Sequence, residues 1–311
     1  MKNKILLSIL SLFIGFSGYS QGRIFTSVEA DASARGLAMG STLLGNSRDM
    51  YLYTNPSAMV FSSKKLSTTL TSDIYANSDA GRLKQFNFEV AYKLKSSAFF
   101  VGSRCQTGLS IPFYNAKKQG KDIHPYEYTI DFGYAFKVIP EIVVYATSSV
   151  LNSYMGKKAH GFSMSVGMGY QKELPLGNRS TLLTVGARLC DAGKSVKFAN
   201  TGLPYSLPTS VVIGGDWTVC FAPKHKLTYA LSSRYFTPQD LTLWNIGTGV
   251  EYTYDKLLSL RAGYNYIEHS SDAMTMGLGL RYCRLKLDIG YAHTFKKYGV
   301  DHLMAGLSFQ I

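Results

Sequence analysis

Residues 284–295 of the chain, RLKLDIGYAHTF, decide the fold class. Apolar side chains alternate along it, at Leu285, Leu287, Ile289, Tyr291 and Phe295, with His293 the one polar residue in this series. The positions between them carry charged or small side chains: Arg284, Lys286, Asp288, Gly290 and Thr294. Successive side chains of a β-strand point to opposite faces, so the stretch predicts a strand with one apolar and one polar face.

The same alternation recurs in the part of the chain that runs from residue 65 to this stretch, in units that are separated by turns. We predict strands at 65–77, 84–95, 97–108, 125–137, 139–151, 160–172, 179–191, 208–221, 224–235, 240–254, 256–267, 273–283, 284–296 and 301–311. About fourteen strands of this length, an even number, indicate a transmembrane antiparallel β-barrel over 65–311. A soluble β-sandwich is the alternative, but the strand length and the separation of charged from apolar faces favour the barrel.

The N-terminus has the pattern of a cleaved secretory signal peptide over residues 1–20. Lys2 and Lys4 precede an apolar run from 5 to 16, and the small residues Gly18 and Ser20 follow it. A run of this length is shorter than the ~20 residues that a membrane anchor needs. We therefore expect export, and the barrel pattern then predicts location in the outer membrane, among its lipids.

Residues 21–64 lack the two-residue period and are rich in alanine, glycine and serine. The lumen of a fourteen-stranded barrel is too wide to be filled by wall side chains alone. We predict that this segment is an N-terminal hatch, or plug, inside the lumen. The glycine pairs 167/169, 247/249 and 277/279 are then interpreted as small inward residues that leave room for it.

The net charge of +13 is spread singly along the strands, without a basic run. This distribution favours contact with anionic lipid over binding of nucleic acid. The strand pattern points nine charged side chains into the lumen: Glu89, Asp131, Arg188, Arg234, Glu251, Arg261, Arg281, Lys286 and Asp288. They could contact the hatch or a permeant, or they could form an ion-paired wall.

The chain lacks the residue spacings of enzymes and metal sites. Its six histidines have no ligand spacing, and no Ser/His pair indicates a lipid hydrolase at the membrane. The four cysteines are too dispersed for a disulfide framework, so we expect free thiols, with one disulfide as the alternative. We predict a protein that is not an enzyme, with no catalytic residue, cofactor or metal.

Two short stretches carry a family resemblance. Residues 33–40, SARGLAMG, and residues 54–59, TNPSAM, resemble the N-terminal signature of the PorV/PorQ family, within the larger FadL-like group of outer-membrane barrels. The stretches 260–264, 277–282 and 287–292 are similar to the closing strands of that family. The resemblance implies fourteen strands, an N-terminal hatch and a hatch motif at Arg35, Gly36, Met39, Gly40, Asn55 and Pro56.

The resemblance implies two alternative functions. Proteins like PorV assist type IX protein secretion, with secretion-system proteins or exported cargo as partners, and this is the first prediction. FadL-like relatives pass small hydrophobic ligands through the hatch and a gap in the wall, and this is the alternative. The chain departs from the family signature at Ser41 and Ser57, and its short loops offer little surface for cargo.

Overall fold

The computed structural model describes residues 25–114, 120–177, 179–198, 204–237, 244–295 and 300–311. The predicted signal peptide, 1–20, and residues 21–24 of the predicted hatch lie outside these ranges. Within these ranges, a 3-10 turn (Thr26–Val28) and three short α-helices precede the strands: α1 (Ala34–Ala38), α2 (Tyr51–Thr54) and α3 (Pro56–Phe61).

Fourteen strands form one closed antiparallel barrel, and β1 pairs with β16 to complete the ring. They are β1 (Leu66–Tyr75), β2 (Gly81–Lys93), β3 (Ser97–Leu109), β6 (Tyr126–Ile139), β7 (Ile142–Tyr154), β8 (Lys158–Leu176), β9 (Arg179–Gly193), β10 (Ser210–Ala222), β11 (His225–Phe236), β12 (Trp244–Tyr254), β13 (Leu258–Ile267), β14 (Ala273–Tyr282), β15 (Leu285–Thr294) and β16 (His302–Gln310). The predicted closed antiparallel barrel of about fourteen strands is confirmed.

The two faces of the wall differ as the alternation predicts. In β15 the outward Leu287 is 42% exposed, whereas the inward Asp288 is 1% exposed. The outer surface carries large apolar side chains on every barrel strand, which suits contact with lipid tails. No helix in the described part of the chain is long and apolar enough to cross a membrane. The four cysteines are free, so the expectation of free thiols is confirmed.

The two ends of the barrel differ in their connections. Tight turns lie at the end where β1 begins and β16 finishes, which we call the terminal end; the opposite end is the distal end. The turn between β12 and β13 has Asp255 and Lys256 in the left-handed region, with φ of 50° and 58°. Two left-handed residues give the twist that joins neighbouring antiparallel strands tightly.

The distal end contains one element that the sequence did not predict. Residues 107–125 were expected to be a long loop, but β4 (Ile111–Tyr114) and β5 (Gly120–Ile123) pair as a separate hairpin. Each strand has only four residues, so the alternation is too short to be recognised. The hairpin belongs to a different sheet from the barrel.

Candidate functional site

Helix α1 lies against the inner face of the wall at strands β13 to β16. The Ser33 side chain caps the helix, because its Oγ accepts a hydrogen bond of 3.1 Å from the Gly36 amide. Ala34 and Leu37 pack with Ala292 and Met304 of β15 and β16. The small helix side chains therefore let α1 approach the strands closely.

Glycine allows the close approach from both sides. Gly40 ends α1 with φ of 73°, and its amide donates a 2.9 Å hydrogen bond to Thr275 Oγ1. A Cβ on Gly40 would overlap the backbone carbonyls of β12 and β13. In the wall, a Cβ on Gly249 would lie 2.6 Å from Met39 Cα, and one on Gly277 would overlap Ala38. Backbone packs on backbone here.

The interpretation of the glycine pairs is confirmed at four positions and wrong at two. Gly169, Gly247, Gly249 and Gly277 face the N-terminal segment. Gly167 instead faces the Tyr145 ring, and Gly279 faces the side chains of Arg261 and Asp288. These two glycines make room for wall side chains.

Six buried charges of alternating sign join the N-terminal segment to the wall, and we call them the ion-pair chain. In order they are Arg35, Glu251, Arg261, Asp288, Lys286 and Asp49. Arg35 contacts Glu251 through Nε at 2.9 Å and Nη2 at 3.2 Å, and Arg261 Nε lies 2.6 Å from the same carboxylate. The chain is neutral, so each buried charge has an opposite neighbour.

The ion-pair chain can pass over β14 because residue 279 of that strand is a glycine, which has no side chain in the way. Arg261 in β13 reaches Asp288 in β15 at 2.8 Å, passing over β14. A Cβ on Gly279 would lie 2.7 Å from the Asp288 carboxylate. Burial alone would lower the pKa of Arg35, but the Glu251 carboxylate outweighs burial, so the pKa lies above its ordinary value. Arg35 therefore stays charged.

Helix α2 is held by polar contacts to the opposite side of the barrel. The Leu52 amide donates to the buried Glu89 carboxylate at 2.6 Å, and the Tyr53 hydroxyl donates to Asp131 at 2.8 Å. Arg188 Nη1 donates to the carbonyls of Leu52 and Tyr53 at 3.2 and 3.1 Å. The contacts from Glu89 and Arg188 satisfy the Leu52 amide and the Leu52 and Tyr53 carbonyls, which a helix of one turn leaves unpaired.

Helix α3 follows directly and depends on Asn55. The Asn55 Oδ1 accepts from the Ser57 amide at 3.2 Å, and Nδ2 donates to the carbonyls of Leu44 and Gly45 at 3.0 and 2.7 Å. Pro56 occupies the first helical position, where no amide donor is required. The motif residues Asn55 and Pro56 therefore fix both the start of α3 and its contact with the preceding loop.

The inner wall at β2, β3, β6 and β7 is apolar near the terminal end. We call this surface the apolar wall patch: Ala91, Ala98, Phe100, Ala135, Val143 and Tyr145. Helices α2 and α3 cover it with Tyr51, Leu52, Ala58, Met59 and Val60. The inner face of a membrane barrel is usually polar, so a covered apolar surface in the lumen is distinctive.

A cavity of about 50 Å³ lies between the N-terminal segment and the wall, on the distal side of the apolar wall patch. Its apolar lining includes Val28, Leu44 and Val212; its charged lining comprises Arg104, Asp131, Arg188, Asp191 and Arg234. The cavity is thus lined by apolar and charged side chains together. A second apolar cluster, which contains Phe25, Leu151 and Leu207, lies nearer the distal end.

Asp191, in the cavity lining, sits at a β-bulge. The pairing of β8 with β9 shifts between Met164 and Val166, and Asp191 has φ of 51°. Its amide donates to Ser165 Oγ at 3.0 Å, and its carboxylate lies 3.8 Å from the Arg234 guanidinium. The bulge thus directs a carboxylate toward the cavity.

The predicted lumen charges fall into separate groups. Glu251, Arg261, Lys286 and Asp288 belong to the ion-pair chain, with Arg35 of the hatch motif. Glu89 and Asp131 bind α2, and Arg188 and Arg234 line the cavity. Arg281 lies opposite Lys286, in a cleft at the terminal end, and makes no ion pair within the described residues.

Sequence reasoning missed Asp49, Arg104 and Asp191. Arg104 follows the inward alternation of β3, so the strand period could have identified it. Asp49 lies in the irregular segment, where no period indicates the direction of a side chain. Asp191 was assigned to a strand end, and the bulge changes its direction.

Comparisons with known proteins bear on the fold alone. No family model matches the chain, and no curated protein matches its sequence. Among solved structures, the Pseudomonas putida toluene transporter TodX matches with a TM-score of 0.60 and 13% identity, over 94% of this chain and 98% of TodX. The monoaromatic hydrocarbon channel CymD matches with a TM-score of 0.61 and 14% identity, over 89% of this chain and 96% of CymD. The chain therefore shares the barrel fold of these two proteins.

Proposed function

We propose that this chain is an outer-membrane channel for small hydrophobic compounds. The observation that carries the proposal is the apolar wall patch beneath α2 and α3. A lumen that conducts only ions or polar solutes has no use for a buried apolar surface, because water wets a polar wall more favourably. The whole-length likeness to a toluene transporter and a monoaromatic hydrocarbon channel supports the same substrate class.

The apolar surfaces and the cavity follow one another along the barrel axis. In order from the distal end, they are the second apolar cluster, which contains Phe25, then the cavity beside Tyr53, and then the apolar wall patch. A hydrophobic molecule in this lumen would therefore meet apolar side chains on both sides of the charged cavity lining. Release at the terminal end then requires α2 and α3 to uncover the patch.

The cavity in this structure is too small for such a ligand, so the structure corresponds to a closed channel. Its 50 Å³ compares with the ~300–1,000 Å³ that ligand pockets usually provide. We infer that residues 50–61, which include α2 and α3, are the part that moves, because they border the cavity and cover the apolar wall patch. The hold of α2 on the wall at Glu89, Asp131 and Arg188 consists of hydrogen bonds, which water can replace.

A role in type IX secretion, of the PorV/PorQ kind, is the second candidate. It rests on the resemblance at 33–40 and 54–59, whose residues Arg35, Gly40 and Asn55 anchor the N-terminal segment. Anchoring of a segment inside the lumen serves either function. The structural neighbours favour the channel, and the hatch role of residues 21–64 is part of both proposals.

Deletion of the gene in its native bacterium separates the two candidates. We expect slower uptake of radiolabelled toluene at low concentration, restored by the wild-type gene, with the set of secreted proteins unchanged. Normal uptake combined with retention of exported proteins would overturn the channel and favour secretion. Outer-membrane location is tested in the same cells by fractionation.

A pair of neighbouring valines tests the route through the lumen. Val143 belongs to the apolar wall patch and is fully buried, whereas Val144 faces outward and is 42% exposed. Val143→Thr adds a hydroxyl to the inner surface with little change of volume, and we expect slower uptake. Val144→Thr is the matched control and should transport normally. Equal rates for both variants would exclude the patch from the route.

A further inference from the structure

A basic cleft opens at the terminal end of the barrel, between the N-terminal segment and strands β12 to β15. Six cationic side chains line it: Arg35, Arg48, Lys256, Arg261, Arg281 and Lys286. Among the described lining residues, Glu251 is the one carboxylate. The cleft contains space of about 10 Å³, enough for one water-sized group, and is partly open to solvent.

Half of these cations are neutralised by the ion-pair chain. Arg35 and Arg261 share Glu251, and Lys286 Nζ lies 2.7 Å from Asp288. The other three, Arg48, Lys256 and Arg281, form no ion pair with a carboxylate in the described ranges of the chain. Positive charge therefore remains uncompensated on one side of the mouth.

The position of Arg281 makes this excess unfavourable. Arg281 of β14 lies directly opposite Lys286 of β15 in the strand register. Both point inward, because the flanking Leu280 and Tyr282 are exposed on the outer face. Lys286 is already paired with Asp288 and Asp49, so the uncompensated positive charges of the cleft are those of Arg281, Arg48 and Lys256. Such a cluster is stabilised when an anion binds between its members.

We propose that Arg48, Lys256 and Arg281 form a binding site for a compact oxyanion of the phosphate or sulfate type. A planar guanidinium places two N–H donors toward two oxygens of such an anion, and two arginines with a flexible lysine suit a tetrahedral group. Lys256 lies at the tip of the β12–β13 turn, where its side chain borders the cleft from the mouth. The anion is either a free ion of the periplasm or the phosphate of a lipid headgroup.

Titration calorimetry on the full-length mature protein in dodecyl maltoside, without phospholipid, tests the site. Potassium phosphate at pH 7 is injected, and potassium chloride of equal ionic strength is the reference. We expect saturable heat with phosphate, weakened at least tenfold in Arg48→Gln/Arg281→Gln, because two charge-assisted contacts are lost. Arg284→Gln removes one arginine from the neighbouring exposed turn and is the control, which should bind like wild type.

The outcomes separate a built site from general salt effects. Phosphate stabilises many proteins without binding, so an effect of equal size in all three proteins would overturn the proposal. Absence of saturable heat in wild type would overturn it as well. Should the double variant fail to fold, Lys256→Gln at the exposed turn is measured in its place and should weaken binding without loss of the barrel.

A competition arm identifies the source of the anion. Dihexanoyl phosphatidic acid, below its micelle-forming concentration, offers the same phosphate on a lipid. If the phosphatidic acid displaces bound phosphate at a lower concentration than inorganic phosphate requires, the site is assigned to a lipid headgroup. If it displaces bound phosphate only at an equal or higher concentration, the site is assigned to the free ion, and either result supports a site at Arg48 and Arg281.

Discussion

Replacement of Glu251 with glutamine should break the ion-pair chain where α1 joins the wall. The Glu251 carboxylate accepts from Arg35 and from Arg261. After the change Arg261 keeps Asp288 at 2.8 Å, but Arg35 has no second ion pair in the described part of the chain. The change therefore leaves Arg35, which anchors α1 to the wall, without an ion-pair partner.

The size of the effect follows from burial. The side chains of Arg35 and Glu251 are 9% and 1% exposed, so Arg35 would become an uncompensated buried charge. Removal of one partner from a buried pair costs about 3–5 kcal/mol, and glutamine keeps one acceptor oxygen, so we expect about 3 kcal/mol. Urea unfolding in detergent, followed by Trp217 and Trp244 fluorescence, measures the change, and hydrogen exchange of residues 34–40 should accelerate.

An exposed ion pair at the same end is the control. Lys224 and Asp255 are also in contact, at 3.0 Å, but their side chains are 58% and 48% exposed. Water screens such a pair, so Asp255→Asn should leave the free energy of unfolding nearly unchanged. If the two variants lost equal stability, or Glu251→Gln left hydrogen exchange of α1 unchanged, burial would not be the source of the anchoring.

Three further changes test other parts of the structure. Gly249→Val would place a Cβ 2.6 Å from Met39 Cα, so hydrogen exchange of α1 should accelerate while the circular dichroism of the barrel is retained; unaltered protection would contradict the packing. Tyr53→Phe removes the 2.8 Å hydrogen bond to the buried Asp131 and should cost about 1–3 kcal/mol in urea unfolding, whereas a neutral result would mean that water replaces the hydroxyl. Leu287→Arg puts a charge on the outer face and should cost about 2–4 kcal/mol for folding into phosphatidylcholine vesicles, and no cost would show that this face avoids lipid.

The strands were predictable because each face of the wall has a different solvent. Contact with lipid favours apolar side chains on the outer face, whereas the lumen accommodates polar ones. The residue types of Leu287 and Asp288 therefore indicate which face each side chain is on. The β4–β5 hairpin is too short to show such an alternation. Its four-residue strands therefore left no pattern to recognise.

The internal contacts were less predictable, because they depend on closure of the barrel. Arg261 and Asp288 both point inward by period, but their meeting across β14 requires the missing side chain of Gly279. The partner of Lys286 in the N-terminal segment, Asp49, comes from a stretch without periodicity. The sequence indicated which charges face inward but not which of them pair.

The N-terminal segment is attached on both sides of residues 50–61: before them by α1 and the ion-pair chain, which ends at Asp49, and after them by the covalent connection to β1. A segment that is attached at both ends can move into open space, but it cannot leave the barrel. Its movement is limited by the length of the twelve residues from 50 to 61 between the two attachments. If these residues open as proposed, the movement needs no rethreading of the polypeptide, and they can return to the same contacts at Glu89, Asp131 and Arg188.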